Sequence, residues 1–154
     1  MLRLQVNRGL DGKFRKLEQL VENFQQEYVF GMATEIATRS PADTGTYMKQ
    51  HHVGTTAVPQ TVPATGPRRP PGEDPFGATH QSLVQPTIDR LVSEAPMDTT
   101  RLVFSNGAKH ANKVEYGDPN SRNNKNGYAV YRSTAREHKR VAQEAEQRAK
   151  ARNR

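Results

Sequence analysis

The chain has 154 residues, of which 33% are hydrophobic and 25% are charged, and its formal net charge is +7. This length supplies one domain with a small core, so much of the chain should lie on surfaces or in loops. The lack of cysteine excludes disulfides, thiol nucleophiles and zinc–cysteine sites. No stretch approaches the roughly 20 apolar residues of a membrane span, and residues 1–10 lack the apolar run of a signal peptide, so we expect cytosolic synthesis.

The first predicted elements are a short strand and a long helix. Apolar and polar residues alternate over residues 2–7, after which Gly9, Asp11 and Gly12 should break the chain. Over residues 13–39, apolar residues recur at steps of three and four, which predicts one long amphipathic helix. A small domain cannot cover all of that length, so part of the stripe should pack on a neighbouring subunit or on a sheet. The residues assigned to this packing are Phe14, Leu17, Val21, Phe24 and Tyr28.

A proline turn should end this helix. The residue before Pro41 is pushed out of the helical region, and residues 41–45 read Pro-Ala-Asp-Thr-Gly. In such a turn Asp43 supplies a side-chain acceptor and Gly45 tolerates a positive φ. Residues 47–56 then read as a strand. Within the helix, Gly31 costs roughly 1 kcal/mol relative to alanine but permits a close backbone approach.

Residues 58–78 form a proline- and glycine-rich segment. It contains six prolines and three glycines, and too few apolar groups to offset the entropy of ordering it. We expect an extended arm that becomes ordered only against neighbouring proteins.

The next segment predicts a shorter helix or an irregular turn, and then a hairpin. Residues 80–94 carry apolar residues at helical spacing, with Pro86 in the first turn or marking the true start. Residues 100–104 and 111–116 read as two strands, with a tight turn at Asn106-Gly107 between them.

After a polar loop at residues 117–127, an ordered segment leads into a last helix, residues 133–154, capped by Ser133 or Thr134. Eight basic residues stand against three acidic ones from Arg132 onward. The apolar residues of this helix thin out after Val141, so we expect a weakly packed helix that docks electrostatically on a partner. The residues assigned to that docking are Arg148, Lys150, Arg152 and Arg154.

Catalytic and metal signatures are absent from the sequence. The five histidines lack a close helical partner, and adjacent His51 and His52 should point to opposite faces of a strand. There is no Gly-x-Ser-x-Gly elbow and no phosphate-binding glycine loop. We therefore expect a non-enzymatic protein without a metal or cofactor.

Together these elements predict a single α+β domain over residues 1–154. A long N-terminal helix would pack on a small, mainly antiparallel sheet, with an extended proline-rich arm and a C-terminal helix.

The order of the elements and two motifs resemble a family of small tailed-bacteriophage proteins called neck, tail-completion or minor tail components. In that family a long helix ends in a Pro-x-Asp-Thr-Gly turn, and an Ala-x-x-Val-Glu-(aromatic)-Gly strand end follows later. The first motif is matched by Pro41, Asp43, Thr44 and Gly45, and the second by Ala111, Val114, Glu115, Tyr116 and Gly117. For these residues we expect architectural roles, with Glu115 pairing with a cation or a backbone amide.

The resemblance implies a structural component of the virion at the head-tail junction. It would form a homo-oligomeric ring, six-fold by resemblance, that joins a head-closure or connector protein to a tail-terminator or tail-tube protein. The ring would surround the path of the genomic DNA in the virion, after assembly in the host cytoplasm and without a membrane partner. The alternative is a basic nucleic-acid-binding protein, which would use the C-terminal helix together with Arg68 and Arg69 of the arm.

Overall fold

The computed structural model describes residues 8–120 and 124–153. Its elements in chain order are α1 (Arg8–Arg39), α2 (Thr46–Lys49), β1 (His51–Gly54), α3 (Ala78–Glu94), β2 (Val103–Asn106), α4 (Ala111–Tyr116) and α5 (Val130–Arg152). The predicted fold class is confirmed: a long N-terminal helix packs on a small antiparallel sheet, with a C-terminal helix. The strand predicted at residues 2–7 lies outside the described residues.

Helix α1 is the element on which both other long helices pack. It confirms the helix predicted over residues 13–39. The helix begins earlier, at Arg8, so the break expected at Gly9, Asp11 and Gly12 is wrong. A glycine inside a helix costs only about 1 kcal/mol, whereas an interior proline costs about 3 kcal/mol, and this segment contains no proline.

Helices α3 and α5 both run antiparallel to α1. Along α5, Arg140 pairs with Glu35, and Asn153 near its end accepts a 3.3 Å hydrogen bond from the Asn23 amide. Gly31 lies against Val141 of α5: a Cβ added at Gly31 would sit 2.5 Å from the Val141 Cγ1 atom. The close approach predicted for Gly31 is therefore present.

Two apolar clusters of the described residues form the core, and the Phe104 side chain packs against both. The first joins α1 to α3 and β1, and contains Val29, Ala33, Ala37, Val53, Ile88, Leu91 and Ala95. The second joins the end of α1 to α2, α4 and α5, and contains Ile36, Tyr47, Ala108, Ala111, Val114 and Val130. Both clusters lie against the C-terminal half of α1, which is therefore the buried half of the helix.

The two described strands pair with each other across a long connection. In this antiparallel pair His51 lies opposite Asn106, and Gly54 lies opposite Val103. The predicted hairpin between residues 100–104 and 111–116 is therefore wrong, and residues 111–116 form α4 instead. Ala108, Ala111 and Val114, spaced by three residues, face the second cluster, and this is the spacing of a helical turn rather than a strand.

Two further boundaries differ from the sequence prediction. Within the strand predicted at residues 47–56, the first residues form α2 and only His51–Gly54 is extended. Helix α3 is confirmed, but Pro86 lies inside it rather than in its first turn. Pro86 and Ser82, whose carbonyl loses its helical partner, are both exposed, so water can satisfy that carbonyl.

The arm packs on its own chain. Val62 forms a parallel bridge with Ala108, and its carbonyl accepts a 2.7 Å hydrogen bond from the Lys109 amide. Further along, the Arg69 amide donates to the Asp43 carbonyl at 2.7 Å. The arm thus has intramolecular partners, contrary to the expectation that only neighbouring proteins would order it.

Candidate assembly surface

The N-terminal part of α1 extends beyond the rest of the domain. The Asn23 amide donates to Asn153, just after α5, and the Gln25 amide donates to the Thr99 carbonyl, after α3, at 3.1 Å. Residues 8–22, called here the projecting segment, lie before both contacts and span about 22 Å at 1.5 Å per residue. From Leu10 to Glu22, every residue except Leu20 is exposed.

Four large apolar side chains line one face of the projecting segment. Leu10 is 51% exposed, Phe14 61%, Leu17 56% and Val21 48%. Their spacing of four, three and four residues places them in one stripe along the helix, called here the α1 stripe. A contiguous exposed apolar patch of this kind marks an interaction site, whereas single exposed apolar residues are ordinary.

Five residues were predicted to pack on a partner, and the structure divides them into two groups. Phe14, Leu17 and Val21 belong to the α1 stripe. Phe24 and Tyr28 are half-buried where the helix enters the domain, and their rings stack with centroids 6.0 Å apart. The stripe therefore continues without a gap into the edge of the folded body.

The basic C-terminal helix is packed rather than free, which corrects the expectation of a weakly packed end. Val141, Ala145 and Ala149 are buried against α1. Two of its basic side chains contact Glu27, a carboxylate only 7% exposed: an Arg152 nitrogen lies 2.6 Å from its Oε1 atom, and an Arg148 nitrogen lies 3.6 Å from its Oε2 atom.

The remaining docking residues predicted on this helix contribute little to that contact. Lys150 pairs with Glu146 on its own helix, and both side chains are more than half exposed. Arg154 lies outside the described residues. The charges predicted to reach a partner are thus largely balanced within the chain.

The motif around α4 has an architectural explanation for each residue. Val114 is buried in the second cluster, and the Glu115 carboxylate accepts the Tyr131 and Arg132 amides, both at 3.0 Å. The exposed ring of Tyr116 lies under the Arg132 guanidinium, 4.8 Å from ring centroid to Cζ, and Gly117 adopts a φ of 94°.

Glu115 is therefore the cap of α5, which corrects the prediction of Ser133 or Thr134. The helix begins at Val130, and no side chain of its own caps it. A carboxylate there satisfies otherwise unpaired amides and interacts favourably with the helix dipole. The expected pairing of Glu115 with an amide and a cation is present, since the Arg132 Nε also donates to it at 3.3 Å. A cap from fifteen or more residues away leaves no local signal in the sequence.

The turn that ends α1 and helix α4 face each other across a cleft of about 640 Å³. Its lining includes Pro41, Asp43 and Thr44 of the turn, Arg68 and Arg69 of the arm, and Val114 of α4. Gly45 adopts the predicted positive φ, 76°. The Asp43 carboxylate lies 3.8 Å from the Arg69 Nε and is mostly exposed, so in the described structure it faces the arm rather than the amides of its own turn.

A buried polar network around His51 was not predicted. The Ser40 hydroxyl donates to the Ile36 carbonyl at 2.6 Å and therefore accepts from the His51 Nε2, 2.7 Å away. The other ring nitrogen, Nδ1, accepts from the Tyr131 hydroxyl at 2.7 Å and faces the Asn106 amide nitrogen at 3.0 Å. This pattern requires a neutral ring with its proton on Nε2.

Burial, reinforced by the Arg90 and His52 charges, lowers the pKa of His51 to about 3. Ser40 and His51 are both fully buried, so a substrate cannot reach this Ser–His pair and its role is structural. The predicted opposite orientation of the two histidines is confirmed, because His52 is half-exposed and its Nδ1 lies 3.7 Å from Glu94.

Two other kinds of site are absent from the described residues. Among residues 8–120 and 124–153, no cluster of three or more histidine, aspartate or glutamate side chains could hold a metal ion. None of the helices in the same ranges is long and apolar enough to cross a membrane.

The chain was compared with protein-family models, with curated proteins and with solved structures, and none of the three comparisons found a match.

Proposed function

We propose that this protein is a self-assembling structural component of a tailed-phage virion, placed at the head-tail junction as a neck or tail-completion ring. The observation that carries the proposal is the α1 stripe. The chain places four large apolar side chains on one face of the projecting segment, and each of them is 48–61% exposed. The two motifs, with their order along the chain, supply the resemblance to the phage family.

Self-association is the simplest way to cover the stripe. Apolar surface removed from water contributes roughly 25 cal/mol per Å², and an uncovered stripe of this size is a liability for a monomer. Repeating one heterologous contact around an axis closes a ring, which is the assembly that the resemblance implies. Residues 111–117 support a structural role, because each of their distinctive side chains has a packing or capping function.

In this proposal the ring joins a head-closure or connector protein to a tail-terminator or tail-tube protein and surrounds the DNA path. The alternative is a nucleic-acid-binding protein. The basic residues of α5 were the main argument for it, and that argument is weaker because several of them pair with carboxylates of the same chain. Arg140 alone contacts Glu35, Glu137 and Glu144. Retention of the purified protein on DNA that falls steeply with salt would favour this alternative.

The test compares two charge substitutions on the projecting segment. Leu17→Glu places a carboxylate in the α1 stripe, whereas Gln19→Glu places the same charge on the opposite face of the same helix turn. Native mass spectrometry and negative-stain imaging should show rings for the unmodified protein and for Gln19→Glu, and monomers for Leu17→Glu. A monomeric unmodified protein would contradict self-assembly.

Placement in the virion needs a separate measurement. A phage in which this gene is replaced by the Leu17→Glu form should yield free heads and free tails in place of joined particles. The Gln19→Glu form should give normal numbers of complete virions. Normal joining with the Leu17→Glu form would contradict the proposed role at the head-tail junction.

A further inference from the structure

We propose that the projecting segments of adjacent copies pack side by side around the ring, parallel and in register, so that the α1 stripe of each copy is covered by its neighbour in a parallel coiled-coil contact. This inference rests on the proposed self-assembly and specifies its contact and orientation. The occupant of the stripe is a second copy of this chain, presenting the same stripe.

The spacing of the apolar residues fits a coiled-coil seam. Leu10 and Leu17 occupy one of the two core positions of a heptad, and Phe14 and Val21 occupy the other. Phe24 and Tyr28 continue the same alternation at the edge of the folded body, and the projecting part of the seam, from Leu10 to Val21, is about 16 Å long. Most helical stability in proteins comes from packing an amphipathic face, so covering the stripe stabilises the projecting segment.

Charge complementarity selects the parallel orientation. In parallel coiled coils, the residue just before one core position faces a residue five places later on the neighbouring helix. Here those residues are Lys13 and Glu18, which carry opposite charges and are both exposed. In an antiparallel pair, the flank containing Asp11 and Glu18 would meet its own copy, and four carboxylates would face one another.

Ring symmetry requires the same orientation. A rotation axis that generates a closed ring keeps equivalent helices at the same height and with the same polarity along the axis, so helices that lie along it are parallel. An antiparallel pair instead needs a two-fold axis perpendicular to the helices and gives an isologous dimer. The projecting segment protrudes past the ends of α3 and α5, so several copies can meet without a clash between these helices along residues 8–22.

Disulfide trapping can read this geometry directly, because the natural chain has no cysteine. Leu10→Cys and Val21→Cys put one thiol at either end of the stripe, and Gln19→Cys puts one on the opposite face. Residues 10 and 21 are about 16 Å apart along a helix, beyond the 4.4–6.8 Å that a disulfide spans between Cα atoms. Oxygen with a copper–phenanthroline catalyst serves as the oxidant.

In a parallel, in-register contact, two copies of Leu10→Cys should form a disulfide with each other, and so should two copies of Val21→Cys. The yield of crosslinked protein should be well above that of Gln19→Cys. A mixture of the two variants should give no crosslink between residues 10 and 21. Predominant crosslinking between 10 and 21 would overturn the inference in favour of an antiparallel dimer. Rings without crosslinks at either site would overturn it while leaving self-assembly intact, and a monomeric parent protein would defeat both.

A charge swap supplies an independent readout. Lys13→Glu should weaken association by about two- to fivefold, the range expected for one exposed ion pair at each contact. Adding Glu18→Lys in the same chain restores opposite charges across a parallel contact and should recover the parental dissociation constant. No recovery in the double variant would contradict the parallel register.

Discussion

The two halves of α1 have the same apolar periodicity and opposite environments. In the N-terminal half the repeating residues are large, as in Phe14 and Leu17, and remain exposed. In the C-terminal half they include Gly31, Ala33 and Ala37, against which α5 and α3 pack closely. Periodicity thus identifies a helix face in both halves, whereas small residues mark only the points of closest approach, since the large side chains of Val29 and Ile36 are also buried in the C-terminal half.

The largest expected effect on the free energy of unfolding comes from comparing one alanine substitution in each half of α1. Ile36→Ala removes a fully buried side chain and should lower the free energy of unfolding by about 2–5 kcal/mol at any protein concentration. Leu17→Ala removes an exposed side chain and should alter only the part of the stability that depends on concentration. Urea denaturation at two protein concentrations measures both, and a concentration-independent loss of similar size in Leu17→Ala would show that the stripe is packed within the monomer.

The second effect is a pH dependence of the free energy of unfolding, which arises from His51 in the packed part of the molecule. The folded pKa of His51, about 3, lies below its unfolded value of 6.5, so the unfolded chain binds more protons between these pH values. The stability contributed by the neutral ring is complete above pH 6.5 and is lost as the pH falls. Between pH 7 and pH 5 the loss should be about 2 kcal/mol, below the limit of about 1.4 kcal/mol per pH unit because the unfolded histidine is only partly protonated near pH 6.5.

Two histidine variants isolate this contribution. His51→Gln lowers stability at pH 7 but should flatten the curve between pH 7 and pH 5. His52→Gln, which changes the half-exposed neighbour, should keep most of the slope. Equal slopes in the unmodified protein and in His51→Gln would show that His51 does not govern the acid sensitivity.

Two glycines of α1 sharpen the comparison further. Gly31→Ala would push a Cβ against the Val141 side chain, and overpacking costs about 1–3 kcal/mol, which outweighs the gain of about 1 kcal/mol in helix propensity. A Cβ added at Gly12 has no other atom within 4 Å, so Gly12→Ala should gain the helix propensity of alanine without any packing cost. Thermal unfolding followed by circular dichroism should therefore show opposite signs, and a stabilised Gly31→Ala would indicate that the α1–α5 contact is loose.

The sequence predicted what depends on local periodicity. The long helix, the turn at Pro41, the positive φ at Gly45 and the apolar surplus on α1 all follow from residues close together in the chain. The pairing of His51 with Asn106 and the capping of α5 by Glu115 join residues far apart, and neither leaves a local pattern. Residues 111–116 were misassigned because the tight-turn signal at Asn106-Gly107 favoured a hairpin, although the three-residue spacing of Ala111 and Val114 fits a helical turn.

The smallest expected effect concerns the ion pairs that hold α5 to the packed half of α1. Replacing Arg148 and Arg152 with glutamine leaves Glu27, only 7% exposed, without the two cations that contact it. Leaving a buried charge unpaired is costly, but these arginines are 44% and 56% exposed, so water screens the change and the loss should be about 1 kcal/mol.

Lys150→Gln is the matched control, because it removes a cation from the same helix whose partner Glu146 is itself exposed, and it should change the stability by less than about 0.5 kcal/mol. Raising the salt concentration should narrow the difference between the parent and the double variant. If the double variant were as stable as the parent yet failed to support joining of heads to tails, these arginines would contact a partner rather than Glu27. That result would restore the electrostatic docking predicted from sequence, because the basic charge of α5 would then be available outside the chain.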